Sequence, residues 1–160
     1  MTNPTLRTLC GALLPVAMAA CATARIPNTE VVDTPENRAV VAVVERYRTA
    51  METRDAPTLR AMASKHYYEN ASTTASAEDD WGFPNLEEVL KRLTDNVKSV
   101  TYDVHITDLQ IYGERADVDF ELTWAFQYTD GERDGWTRKT DTNRLELIRE
   151  DGDWHILSGM

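Results

Sequence analysis

Val118, Phe120, Leu122, Trp124, Phe126 and Tyr128 stand at every second position of one unbroken run. Asp119, Glu121, Thr123 and Gln127 fill the positions between them. Side chains of a strand alternate between its two faces, so this run predicts a long β-strand with one wholly apolar face. Such a face cannot be left in water along its whole length. It must be covered, and a sheet with one dry face is covered either by a second sheet or by helices.

The remaining C-terminal sequence supplies strands. Val100, Tyr102, Val104 and Ile106 share one face, whereas Leu109 and Ile111 fall on the opposite parity, which predicts a bulge near Asp108. Gly113 turns the chain. TDGERDG at 129–135 is a hairpin connection, and 137–149 returns as a strand with Leu145 and Leu147 inward. Asp151-Gly152 signals a tight hairpin before a last strand carrying Trp154 and Ile156.

The N-terminal half supplies the cover. Thr34 is an N-cap candidate with Pro35 at the first helical position, and Val40, Val43, Val44, Tyr47 and Met51 follow on one helical face. Glu45, Arg46, Arg48 and Glu52 face outward. Asp55 caps a short second helix that turns Leu59, Met62 and Ala63 inward. HYYEN at 66–70 is strand-like, and 71–84 is a long irregular connection of the kind that often serves as a binding loop. Asn85, with Glu88 three residues on, predicts the start of a third helix with the stripe Leu86, Val89, Leu90, Leu93 and Val97. The fold class is therefore α+β: a curved, mostly antiparallel sheet wrapped around three N-terminal helices. The chain of 160 residues, 42% of them hydrophobic, is long enough for one such domain and its core.

The first residues have another purpose. Arg7 precedes the apolar stretch Leu9–Ala19, which is too short to span a bilayer and is broken by Pro15. Small residues follow, as in a secretory signal peptide. Ala20-Cys21-Ala22 fits ordinary cleavage after Ala22. Met18-Ala19-Ala20-Cys21 resembles a bacterial lipoprotein box, with Cys21 lipidated as the new N-terminus. Cys10 is the only other cysteine and lies within the removed segment, so Cys21 has no disulfide partner, which favours lipidation. The expected organisation is a signal peptide at 1–20, a tether at 21–33 and a domain at 34–160. A membrane partner held through Cys21 follows. Ala22 rather than aspartate after the cysteine favours the outer membrane of a Gram-negative envelope, facing the periplasm. The dozen residues 22–33 show no sustained period and would reach about 40 Å if extended.

Composition excludes some functions. The net charge is −10, and removal of 1–20 takes away only Arg7, a cation, so the exported part is more acidic still. That surface repels nucleic acid. His66, His105 and His155 are scattered, no cysteine pair exists, and no metal site or cofactor motif is expected.

Two stretches carry a family likeness. VVAVVERYRTAMETRDAPTLRAMASKHYYEN at 40–70 resembles the opening helix pair of the NTF2-like (SnoaL-like) superfamily, with the Arg-Asp break at Arg54-Asp55 and a Tyr-Glu strand at Tyr68-Glu69. TNRLELIREDGDWHILSG at 142–159 is similar to its last two strands, where a tight turn precedes Trp-x-Ile. The resemblance covers 35–159 and implies a cone-shaped sheet enclosing a cavity beside the first helices. Members include isomerases, dehydratases, cyclases and non-catalytic binding domains, so fold does not select function.

Parity nominates site residues. With Leu145 and Leu147 inward, Lys139, Asp141 and Asn143 share their face, and a desolvated Asp141 with a raised pKa would suit a general base. The alternative is a strand that passes beyond the core into solvent. His66 and Tyr68 share one side of HYYEN, Tyr67 and Glu69 the other; an inward Tyr68 would donate a hydrogen bond and an inward His66 would move a proton. Trp81 and Phe83, in the long connection, either close over an apolar ligand or pin the loop. Trp124 belongs to the core or a cavity wall. The leading expectation is a non-catalytic domain that binds a small apolar molecule, or an envelope accessory protein. Its rivals are a cofactor-independent isomerase or dehydratase of ketosteroid-isomerase type, using Asp141 or His66 with Tyr68, and a homodimerisation domain.

Overall fold

Helix α1 (Pro35–Thr53) starts where its cap requires. The Thr34 hydroxyl accepts from the Asn37 N–H at 3.1 Å, and proline fills the first turn. Val40, Val44 and Tyr47 are buried, with Val41 and Ala50 beside them, and Val43 and Met51 are partly covered. Arg54 ends the helix in the left-handed conformation at φ 54°, its N–H turned to the carbonyls of Ala50 and Met51. The Asp55 carboxylate then accepts from the Thr58 N–H at 3.0 Å and caps α2 (Ala56–Met62), which buries Leu59 and Met62. The computed structural model describes residues 23–70, 80–130 and 133–160.

Strand β1 (Tyr68–Glu69) pairs antiparallel with β2 (Trp81–Gly82), and α3 (Phe83–Asn96) follows directly. The expected cap at Asn85 is corrected: Gly82 is the N-cap and makes no side-chain capping bond. Pro84 in the first turn already has helical φ, so the helix begins three residues ahead of the start that an Asn85 cap implies. Leu86 and Leu90 are buried; Val89 and Leu93 are half-buried.

Four antiparallel strands form the main sheet in the order β3 (Val97–Tyr112), β4 (Arg115–Asp130), β5 (Arg133–Glu150), β6 (Asp153–Ser158). The bulge expected near Asp108 is present. Ile106 pairs with Phe120 and Asp108 with Asp119, leaving Thr107 as the extra residue. Its hydroxyl donates to the Asp119 carbonyl at 3.1 Å. That one-residue slip brings Leu109 and Ile111 to the side already occupied by Ile106. The β5–β6 turn places Asp151 and Gly152 at φ 53° and 95°, the double left-handed geometry of a type I′ hairpin. At the far edge, α2 runs into the sheet: the Ser64 N–H donates to the Ile156 carbonyl at 2.8 Å.

The helices cover only part of the inner face. Ile106, Ala116, Val118, Phe120, Leu145, Leu147 and Ile156 are fully buried. Further along β4, Trp124 and Phe126 are half-buried and Tyr128 is exposed. The sheet is curved and open, with the dry core at the Gly113 end.

The tether reading is corrected for Ala24–Asp33. This segment folds back on itself, with Ile26 N–H to the Val31 carbonyl at 2.9 Å and Asp33 N–H to the Ala24 carbonyl at 2.8 Å. Asn28 takes the turn at φ 61°. Glu30 N–H donates to the Ile106 carbonyl at 3.0 Å, and Ile26 and Val31 join the core. Pro27-Asn28 is turn chemistry, and a turn flanked by two isolated apolar anchors shows no period for a sequence reading to find. Residues 1–22, including Cys21, lie outside the described residues.

Candidate functional site

The inner face carries a polar cluster within an apolar wall. Tyr47 on α1 and Tyr102 on β3 meet hydroxyl to hydroxyl at 2.9 Å, with rings edge-on at 5.7 Å. Both rings are buried, so each hydroxyl satisfies the other in place of water. Burial raises the Tyr47 pKa well above 10.0, and the Tyr102 hydroxyl adds to the effect. Burial likewise raises that of Tyr102, opposed by its bond to Tyr47. These hydroxyls stay neutral, and a neutral hydroxyl can donate to a ligand oxygen.

Tyr67 and Glu69 extend the cluster. Tyr67 is buried, its ring 5.2 Å from that of Trp81, and burial, followed by the Glu69 charge, raises its pKa. Its hydroxyl donates to Glu69 Oε2 at 3.3 Å. The same carboxylate oxygen accepts from the Gly159 N–H at 2.9 Å, and the Met160 N–H donates to the Tyr67 hydroxyl at 3.2 Å. The inward members of HYYEN are thus Tyr67 and Glu69, whereas His66 and Tyr68 are exposed. The Tyr68 hydroxyl bonds to Asp80. The ladder of β1 is two residues long, too short for alternation to fix which side faces the core.

Asp141 corrects another expectation. It does share the inner face, directly opposite Leu122, but the strand there has run past the helices and the carboxylate is exposed. Lys139 bonds to it, the Thr142 N–H adds a second contact at 3.0 Å, and its pKa is lowered rather than raised. Trp124 is a wall residue, half-buried and 4.7 Å from the Phe126 ring; it lies opposite Tyr102 across the β3–β4 ladder. Trp81 and Phe83 stand in regular elements, and residues 71–79 of the expected connection lie outside the described residues. Trp81 packs on Tyr67 within β2, and Phe83 opens α3 with the Arg60 guanidinium 4.8 Å above its ring.

The structure brings some of these residues together. His66, Tyr68, Asn143, Glu69 and Gly159 line one open groove of about 480 Å³ between β1 and β5. Asp141, Trp124 and Phe83 are not on its wall. Sequence reasoning missed Tyr47, Tyr67, Glu69 and Tyr102 as a group, although a signal existed. Tyr47 and Tyr102 both sit on otherwise apolar stripes of elements expected to face each other, and a buried hydroxyl needs a partner. Among the described residues no three His, Cys, Asp or Glu side chains converge as a metal site. No helix among them is long and apolar enough to cross a membrane.

Comparison with known proteins places the architecture. No protein-family model and no curated protein matches the sequence. Solved structures do match. A ketosteroid isomerase-like protein from Erwinia carotovora atroseptica is 18% identical, with a TM-score of 0.62 over 79% of this chain and 95% of that one. A protein provisionally titled a scytalone dehydratase, from Novosphingobium aromaticivorans, is 14% identical, with a TM-score of 0.61 over 78% and 80%. A protein with a cystatin-like fold from Caulobacter vibrioides is 19% identical, with a TM-score of 0.60 over 77% and 85%. At these identities the likeness is one of fold, and it agrees with the element order, the bulged sheet and the helical cover: the chain shares the α+β fold of these structures.

Proposed function

We propose that this domain binds a small, largely apolar molecule without transforming it. The observation that carries the reading is the Trp124–Phe126 pair, left half-buried on the inner face where the helical cover ends. An apolar ligand laid on that wall would complete the burial the helices leave unfinished, and the tyrosine hydroxyls beyond Tyr102 give its polar group a partner. In the wider reading the domain is exported and held at the bacterial envelope by a lipid on Cys21. The test is a titration with N-phenyl-1-naphthylamine, a neutral fluorescent aromatic. Binding in the micromolar range that weakens at least tenfold in Trp124→Leu supports the site; equal affinity in both proteins sinks it. Mass spectrometry of protein extracted from its native envelope would report a diacylglycerol-modified Cys21, or a free one.

A second reading rests on the groove, where His66, Tyr68 and Glu69 line one wall. It is an isomerase in which His66 or Glu69 removes a proton α to a carbonyl and returns it at the γ carbon, with a tyrosine hydroxyl on the enolate oxygen. The neighbours titled as ketosteroid isomerase-like and scytalone dehydratase lend it support. Conversion of a β,γ-unsaturated ketone to the conjugated enone, followed by its ultraviolet absorbance and abolished in Glu69→Gln or His66→Ala, would establish it. An uncatalysed rate would remove it.

A further inference from the structure

We propose that Ser158–Met160 is a strap that closes the polar end of this binding site and must leave before a ligand can fill it. The inference rests on the site reading above and adds its regulation.

Three hydrogen bonds hold the strap, each to a side chain of the candidate site. Glu69 takes the Gly159 N–H, Tyr67 takes the Met160 N–H, and the Asn143 amide donates to the Gly159 carbonyl at 3.0 Å. The Met160 side chain packs against the core. An N–H on a carboxylate and another on a phenol, followed by an apolar side chain against the core, are the contacts a small amphiphilic ligand would make. The path is also built for close approach. Gly159 has φ 93°, and a Cβ there would lie 2.0 Å from the Arg144 carbonyl oxygen, so only glycine passes. Ser158 and Gly159 line the groove beside His66 and Tyr68, while the Gly159 and Met160 N–H groups turn to Glu69 and Tyr67.

Nothing else fixes the strap as firmly as an interior strand. The pairing of β5 with β6 ends at Glu146–Ser158, and past it the described contacts are these three side-chain bonds and the packing of Met160. A ligand that needs the strap open binds more weakly by the fraction of time it is open.

The experiment compares wild type, Met160→Ala and Gly159→Ala in the same N-phenyl-1-naphthylamine titration, and reads amide exchange at 157–160 in wild type with and without saturating probe. The expected result is an affinity about three- to tenfold tighter in both variants, and faster exchange of the Gly159 and Met160 amides when the probe is bound. Unchanged affinity in Met160→Ala together with unchanged exchange overturns the strap even if Trp124→Leu shows that the site is real. Should Gly159→Ala fail to fold, Met160→Ala and the wild-type exchange decide alone. No binding by wild type or by either variant removes strap and site together, whereas binding that ignores Trp124→Leu but opens the strap retains the strap and moves the site.

Discussion

One strand pair passes through two environments. At the Gly113 end of β4 and β5, Val118 faces Leu145 and Ala116 faces Leu147, all of them shut off from water. Toward the other end, on the same face and in the same register, Leu122 meets Asp141 and Trp124 meets Lys139, and the polar partners are exposed. The alternation is identical; the cover is not. Period two tells which face a side chain occupies, and only the reach of α1, α2 and α3 decides whether that face is dry. The wet end is consequently where the proposed ligand site lies, and the dry end is where the fully buried core sits.

Substitutions can sharpen that contrast. Leu145→Ala, in the covered half, should destabilise the domain by about 3 kcal/mol through lost burial and a residual cavity, read as a lower midpoint in urea. At the junction, Tyr47→Phe should cost about 1–2 kcal/mol because it strands the buried Tyr102 hydroxyl, and the double change with Tyr102→Phe should cost less than the sum of the singles. The junction also sets an alkaline limit. The folded pKa values of Tyr47, Tyr67 and Tyr102 are raised above the ordinary 10.0, so above about pH 10 the unfolded chain loses protons that the folded one keeps. Stability is fully retained below that pH and falls as pH rises toward the folded values. Tyr47→Phe should flatten the fall, measured as urea midpoints from pH 8 to 11.

In the uncovered half, Trp124→Leu should shift stability by about 1 kcal/mol, since the ring is only partly covered and leucine keeps some of its packing, while reducing probe binding tenfold. A stability loss as large as that of Leu145→Ala would erase the distinction between the two ends. The smallest effect belongs to the outer face, where Arg144 clamps Asp119 through two bonds of 2.7 Å. That exposed pair should be worth less than about 1 kcal/mol, and Arg144→Met in a double-mutant cycle with Asp119→Asn would measure it.

Local chemistry was readable in the sequence wherever one or two residues dictate a conformation. Thr34 and Asp55 cap their helices, the parity switch after Ile106 marks the bulge, and Asp151-Gly152 makes its hairpin. The site was less legible because it depends on where long elements stop overlapping. Asp141 is on the expected face and in the wrong environment. Tyr67 faces inward because Trp81, fourteen positions away, packs on its ring, and a two-residue strand carries no periodicity of its own to reveal that. Glu69 is tied to Gly159, ninety positions distant, a contact no local pattern shows.

The docked turn at Ala24–Asp33 bears on how the domain would sit at a membrane. If Cys21 carries a lipid, the docked body begins three positions after it, because Ala24 already accepts the Asp33 N–H. Three Cα–Cα steps span at most about 11 Å, a standoff smaller than one leaflet of a bilayer. The domain would then ride flush on the headgroups with a narrow arc of swing, and its acidic surface would meet the envelope at a nearly constant height.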